Sequence, residues 1–299
     1  MARLKIPDQS GRTAVVTGAN TGLGYEVALG LAKAGAEVVL ACRSVERGES
    51  AAARIAKTVP GSAGRLRVVA LDLADLDSVR SFPARLGDGA VDVLVNNAGI
   101  MIPPFGRTPE GFESQFGVNV VGHYALTGLL LPRLEAAPAG RVVWVASIAH
   151  LGGRIDFENL RGEKPYDMWR EYRQSKLGDI MLALEMDRRL RAAGLSVRSV
   201  AAHPGMARTE LTRSRFLYDL GARLVTQSAA RGAKPLLHGA VADVPGGSYW
   251  GPVGPKEYWW SFGPAKVSRR ARDEAVAARL WALCEEATGV SYEGLVRPA

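Results

Sequence analysis

One pattern repeats through the first two hundred residues: a short, valine-rich apolar run followed by a stretch with helical periodicity. The runs are Thr13–Val16, Glu37–Cys42, Arg67–Leu71, Val91–Val95, Arg141–Ala146 and Leu195–Val200. Strands that are apolar throughout, rather than alternating, are buried on both faces. Strands separated by helices are joined by crossovers, which makes their sheet parallel. The fold class that follows is α/β, a doubly wound parallel sheet with helices on both faces. Helices are predicted over Tyr25–Ala34, Ser44–Lys57, Glu110–Ala137 and Met168–Ala193, with Pro132 ending the regular part of the third.

Beyond Pro204 the alternation stops. Residues 205–225 are rich in Arg and Thr, residues 244–265 are dense in Gly, Pro and aromatics and read as loop, and a last amphipathic helix is predicted over Arg269–Thr288. A length of 299 residues suggests two domains at about 150 residues each. No linker, repeat or low-complexity tract separates two cores, so residues 1–299 read as one domain with an irregular region over about 205–299. The most apolar stretch, Val118–Leu131, is broken by Asn119, His123 and Thr127, and no run reaches the ~18 residues that span a bilayer. The amino terminus lacks the apolar segment of a secretory signal. Cys42 and Cys284 form no framework and no metal-ligand pair, so a reducing, cytoplasmic setting is expected. His123, His150 and His203 show no partner pattern for a metal, and none is expected. Only 8 of the 38 basic residues are lysine, which hints at a bacterial, GC-rich genome. The net charge of +8 raises the question of polyanionic partners. No basic cluster interleaved with aromatics accompanies it, so nucleic acid is not an expected partner.

The residues between the first strand and the first helix are Thr17-Gly18-Ala19-Asn20-Thr21-Gly22-Leu23-Gly24. Glycines there let the backbone turn sharply and approach a pyrophosphate resting on the helix N-terminus; a tight strand–helix turn alone is the other reading, and placement after the very first strand favours the nucleotide. An acidic residue ending the second strand would bind the ribose hydroxyls of NAD. That position is Cys42, followed by Arg43 and Ser44. A missing carboxylate and a guanidinium able to grip a 2′-phosphate favour NADP(H), with NAD(H) not excluded. Tyr172 and Lys176 stand four apart in a helical stretch and so share a face. An ammonium beside a phenol of pKa near ~10 favours the phenolate, which suits the pair to general acid/base work.

Further matches follow in order: Asp72-Leu73 after the third strand, Asn96-Asn97-Ala98-Gly99 after the fourth, Asn119, Ser147 after the fifth, Tyr172-x-x-x-Lys176, and Pro204-Gly205 after the sixth. With the spacing Gly18-x-x-x-Gly22-x-Gly24 this ordered set resembles the short-chain dehydrogenase/reductase family. The resemblance implies a cofactor site of Gly18, Asn20, Thr21, Gly22, Leu23, Gly24, Arg43, Ser44, Asp72, Leu73, Asn97, Ala98, Gly99, Tyr172, Lys176, Pro204, Gly205 and Thr209. It implies catalysis by Asn119, Ser147, Tyr172 and Lys176: Tyr172 moving the proton, Ser147 bonding the substrate oxygen, Lys176 holding the nicotinamide ribose, and Asn119 supporting a water behind Lys176. Tyr166, with Arg170 four residues on, is a rival tyrosine, but Pro165 places it in a loop.

Serine and tyrosine lie 25 positions apart, farther than is usual in the family. That insertion, with Leu40-Ala41-Cys42-Arg43 and Gly122-His123-Tyr124, resembles the retinol dehydrogenase-like and WW-domain oxidoreductase-like branch. The function expected is hydride transfer between NADP(H) and a lipophilic ketone, aldehyde or alcohol; the alternative is a non-catalytic NADP-binding sensor or scaffold. Met206, Phe216, Leu217, Tyr218, Trp250, Tyr258, Trp259, Trp260 and Phe262 fall where the family places its substrate lid and C-terminal loop, and suit either an apolar pocket or an interface. By family habit the helices Glu110–Ala137 and Met168–Ala193 are candidates for a homodimer or homotetramer contact.

Overall fold

Branched side chains at Val15, Val16, Val38, Val39, Val142 and Val143 favour extended backbone, and all six are at most 2% exposed. The structure, a computed structural model, describes residues 4–205, 228–254, 261–292, 294 and 295. Its strands are β1 (Thr13–Thr17), β2 (Glu37–Cys42), β3 (Leu66–Ala70), β4 (Val93–Asn96), β5 (Arg141–Val145), β6 (Arg198–Ala202), β7 (Tyr249–Pro252) and β8 (Phe262–Pro264). They form one eight-stranded sheet in the order β3-β2-β1-β4-β5-β6-β7-β8. Every pairing is parallel except β7 with β8.

The helices are α1 (Gly22–Lys33), α2 (Val45–Thr58), α3 (Leu76–Leu86), a single turn α4 (Ser114–Phe116), α5 (His123–Glu135), α6 (Met168–Ala192), α7 (Ala229–Val241) and α8 (Glu274–Thr288). One face of the sheet carries α1, α2 and α7, whose Val27, Leu31, Ile55 and Leu236 pack on Val16, Leu40 and Val143. The other carries α3, α5, α6 and α8, with Phe82, Tyr124, Ile180 and Leu280 packed on Val15, Leu94 and Trp144. Strand order reverses between β1 and β4, so the crossovers diverge there and leave a crevice at the strands' C-terminal ends.

Three expectations are corrected. Residues 244–265 are not all loop: Tyr249–Pro252 and Phe262–Pro264 extend the sheet past β6 to eight strands. The single long helix over Glu110–Ala137 is instead α4, a π-helical turn at Gly117–Gly122, and α5. Pro132 does not end it, because α5 runs on to Glu135. A proline one turn from the end forfeits one hydrogen bond, and the Pro132 carbonyl still accepts from Ala136 N at 3.1 Å. α8 and the segment after it pack against α5 and α6 within the chain. Trp281 on α8 meets Tyr124 on α5 edge-on at 5.1 Å and Tyr292 at 4.5 Å, with the Arg189 guanidinium of α6 4.7 Å above its ring.

Truncation of this aromatic keystone by Trp281→Ala is expected to cost about 3–5 kcal/mol. Urea unfolding followed by circular dichroism checks it; an unchanged midpoint would contradict the role given to α8.

Candidate active site

The crevice at the switch point is a cleft of about 510 Å³. It is lined by Gly18, Asn20, Thr21, Gly22, Leu23, Gly24, Arg43, Asp72, Leu73, Asn97, Ala98 and Gly99, all expected from the sequence. Gly18 and Gly22 have φ of +66° and +57°, which a side chain would strain. A Cβ on Gly24 would fall 2.4 Å from the Gly18 carbonyl oxygen and 2.5 Å from Asn97 Nδ2, so only glycine lets the turn, helix and β4 end close on one another. Thr21 makes no side-chain cap to α1, and the first turn of α1 has no acidic residue. Its N–H groups therefore face the cleft as an uncompensated positive pole, the arrangement that suits a pyrophosphate.

At the end of β2 the side chains alternate. Ala41 and Arg43 line the cleft, whereas the Cys42 sulfur is buried against the backbone N–H groups of Ala19 and Asn20. Burial pushes the Cys42 thiol up to about 11. Ser44 is spent as the cap of α2, accepting from Arg47 N at 3.2 Å, and does not line the cleft. Arg47 does, four residues beyond Arg43. The sequence signal for it was present, since a residue one turn beyond the end of β2 at the start of α2 returns to the same rim.

Asp167 starts α6 by accepting from Trp169 N and Arg170 N at 2.9 and 3.1 Å, which sets Tyr172 and Lys176 on one face in the next turns. Lys176 Nζ donates to the Val145 carbonyl at 2.9 Å and to Asp179 Oδ2 at 2.8 Å. It thereby reaches the end of β5, two residues before Ser147. Ser147 opens a 3-10 segment, Ile148–Gly152, its Oγ accepting from Ala149 N at 3.2 Å. A Cβ on Gly99 would lie 3.0 Å from Asn119 Oδ1 and 3.8 Å from Lys176 Nζ, so the cleft's inner end, Asn119 and the lysine meet at one place.

Asn119 sits in the π-helical turn with its amide committed to the Ile100 backbone and the Ser175 hydroxyl. Oδ1 accepts from Ile100 N at 2.9 Å, and Nδ2 donates to Ile100 O and Ser175 Oγ, both at 3.0 Å. Its own carbonyl lies 3.0 Å from His123 Nδ1. A carbonyl only accepts, so Nδ1 carries the proton and Nε2 accepts the Thr17 hydroxyl at 3.0 Å. Burial, and secondarily the Lys176 charge, hold His123 down at about 3, so the ring is neutral. The Thr17 oxygen also accepts from Asn97 N and Ala98 N at 2.9 and 2.8 Å. His123, which shows no metal-ligand pattern in the sequence, thus links the glycine turn to Asn119.

The insertion between Ser147 and Tyr172 is fastened over the start of α6. Asn159 Nδ2 donates to the buried Glu171 at 2.9 Å, and Asp156 N donates to Gln174 at 2.7 Å. The Tyr166 hydroxyl donates to Pro103 O at 2.8 Å, and burial pushes its phenol up to about 12. The rival tyrosine is therefore a fastening of this segment. Pro204 and Gly205 follow β6, with Gly205 N donating to His203 Nδ1 at 3.2 Å. Thr209, Met206, Phe216, Leu217, Tyr218, Tyr258, Trp259 and Trp260 lie outside the described residues. Trp250 and Phe262 pack on His238 of α7, at 4.3 and 5.1 Å between ring centres. Strand pairing carries both to the far edge of the sheet, so their described contacts are with a helix and not with the cleft.

The short chain dehydrogenase family model matches residues 12–218. Retinol dehydrogenase 12 of Mus musculus is 40% identical over 291 residues, covering 95% of this chain and 88% of that one. Retinol dehydrogenase 13 of Homo sapiens is 40% identical over 290 residues, covering 91% and 83%. A crystal structure of an uncharacterized protein from Mycobacterium paratuberculosis superimposes with a TM-score of 0.81 at 42% identity, covering 96% of this chain and 97% of that one. The chain belongs to the short-chain dehydrogenase/reductase family, in its retinol dehydrogenase-like branch. It is an oxidoreductase acting on CH–OH and C=O groups, in a family that binds nicotinamide cofactors. Among the described residues no helix is long and apolar enough to cross a membrane.

Because His123 stays neutral, its ring signals should show no titration from about pH 5 to 8 in a proton–carbon NMR series. An inflection inside that interval would contradict the tautomer and the link to Asn119.

Proposed function

We propose that the protein moves hydride between NADP(H) and a lipophilic ketone, aldehyde or alcohol, with Tyr172 as the general acid/base. The observation that carries this reading is the reach of Lys176 from one face of α6, which it shares with Tyr172, to the end of β5 beside Ser147 and to Gly99 in the cleft. The residues around Gly99 would hold a nicotinamide, which would supply or accept the hydride. Tyr172 gives its hydroxyl proton to the substrate oxygen in reduction and takes it back in oxidation. Lys176 is assigned the ribose hydroxyls. Ser147 donates to the substrate oxygen as negative charge develops on it. Asn119, its side chain anchored to Ile100 and Ser175, keeps the wall behind Lys176 in place. Pro204, Gly205 and Thr209 are assigned to the nicotinamide carboxamide.

NADP(H) is preferred over NAD(H) because two guanidinium residues, Arg43 and Arg47, line the rim where a carboxylate would otherwise meet the ribose. Asp72 and Leu73 then flank the adenine, and Asn97, Ala98 and Gly99 the adenosine ribose. A lipophilic substrate is supported by the relatives, whose names specify retinol, a long apolar alcohol.

With retinal and NADPH as probes, Tyr172→Phe should lower kcat by about 10²–10⁴-fold, the usual worth of a positioned acid/base. Turnover equal to the parent would overturn the mechanism; no turnover by the parent on any carbonyl, with cofactor bound, would favour the sensor reading. In fluorescence titrations, Arg43→Ala and Arg47→Ala should each weaken NADPH by about 10–100-fold, as expected for loss of a charge-assisted bond, and leave NADH almost unchanged. Equal losses for both nucleotides would refute the 2′-phosphate assignment.

A further inference from the structure

We propose that Asp179 is a positioning residue for this reaction, holding Lys176 in its reach toward the cleft and keeping it an ammonium ion where water is excluded. The inference rests on the proposed roles of Tyr172 and Lys176. Asp179 Oδ2 lies 2.8 Å from Lys176 Nζ, and the two side chains are 3% and 8% exposed. Both residues are on α6 three apart, so the carboxylate sits one helical turn beyond the lysine, on the side away from Tyr172. Asp179 Oδ1 has no hydrogen-bond partner among the described residues. The carboxylate's hydrogen bonding is thus spent on Lys176.

Donor counting gives the pair its consequence. An ammonium carries three N–H bonds. Asp179 takes one and the Val145 carbonyl a second, which leaves one without a partner among the described residues, on a nitrogen 3.8 Å from where a Cβ on Gly99 would lie. A neutral amine has two N–H bonds, both consumed by these partners, and would keep a lone pair but no N–H donor for a ribose oxygen. Keeping the proton on Lys176 and keeping a donor for the cofactor are therefore one requirement.

Burial alone would strip that proton, since a desolvated lysine favours its neutral form. Asp179 opposes this, and with Tyr172 it holds Lys176 above its ordinary value despite burial. Burial in turn raises the Asp179 carboxyl, against the pull of Lys176. The other titratable group acting here, His123 from α5 across the way, is neutral. β5 contributes only the Val145 carbonyl, and α8 brings Leu280 beside Gly178.

The test compares pH profiles of NADPH-dependent retinal reduction for the parent, Asp179→Asn, Asp179→Glu and Tyr172→Phe. In Asp179→Asn the alkaline limb of kcat should move down by about 1 pH unit or more, the scale of a lost opposite charge, with KM for retinal little altered. The NADPH Kd of that variant should rise with pH over the same interval, and Asp179→Glu should restore the parent limb at least in part. A uniform loss of kcat at every pH, or a profile that superimposes on the parent's, would overturn the inference, because a purely structural ion pair moves no limb. Should Tyr172→Phe keep full turnover, the assignment of the site itself falls. Should Tyr172→Phe be inactive while Asp179→Asn leaves the limb in place, only the inference about Asp179 falls. Independently of whether the variants fold, nitrogen-labelled lysine in the intact protein should show the Lys176 ammonium persisting beyond about pH 9, close to the free-lysine range. Its loss below that pH would also overturn the inference.

Discussion

The hydroxyl of Thr17 is the point on which the site depends. It stands at the end of β1, where strand order reverses, and accepts the two N–H groups that follow β4, from Asn97 and Ala98. It donates in turn to His123, whose other nitrogen reaches the carbonyl of Asn119. A single buried oxygen thus ties the glycine turn, the far wall of the cleft and the π-helical turn together. The link holds across ordinary pH because His123 stays uncharged there, so neither of its ring nitrogens changes role.

A second group of buried polar contacts sets the position of α6. Lys176 reaches the β5 backbone, Asp179 backs it, and Glu171, Asn159 and Gln174 hold the long insertion over the start of the helix. Buried charges return little net stability compared with apolar packing of the same volume. Stability therefore comes from the two apolar faces of the sheet, while the polar contacts fix the placement of the candidate-site side chains.

What was legible in the sequence follows from local rules. β2 was expected and found at Glu37–Cys42, and α6 was expected at Met168–Ala193 and runs Met168–Ala192, because apolar continuity and helical spacing depend on near neighbours alone. β6 was expected at Leu195–Val200 but begins at Arg198. Leu195 N closes the turn after α6 on Leu190 O, and the register with Arg141–Val145 decides where pairing starts. β7 and β8 went unseen because the glycines and prolines among them mask the extended preference of Tyr249, Trp250 and Phe262, and the pairing of β7 with β6 and β8 fixes them as strands. Arg47 could have been found by its spacing from Arg43. Asp179 could have been found in the same way, three residues beyond Lys176 on α6, whereas His123 could not, since its partner Thr17 is defined by where the helix comes to rest.

The sequence by itself determined the class of fold, the cofactor turn and the ordered set Asn119, Ser147, Tyr172, Lys176, because each is written in residue type and short spacing. Only the tertiary structure decided that Cys42 turns inward while Arg43 and Arg47 face the cleft, that Tyr166 is a fastening, and that Lys176 reaches the Val145 carbonyl. Those outcomes depend on burial and on hydrogen bonds between residues far apart in the chain. Burial and donor counting are properties of a packed neighbourhood, and no spacing along the chain encodes them.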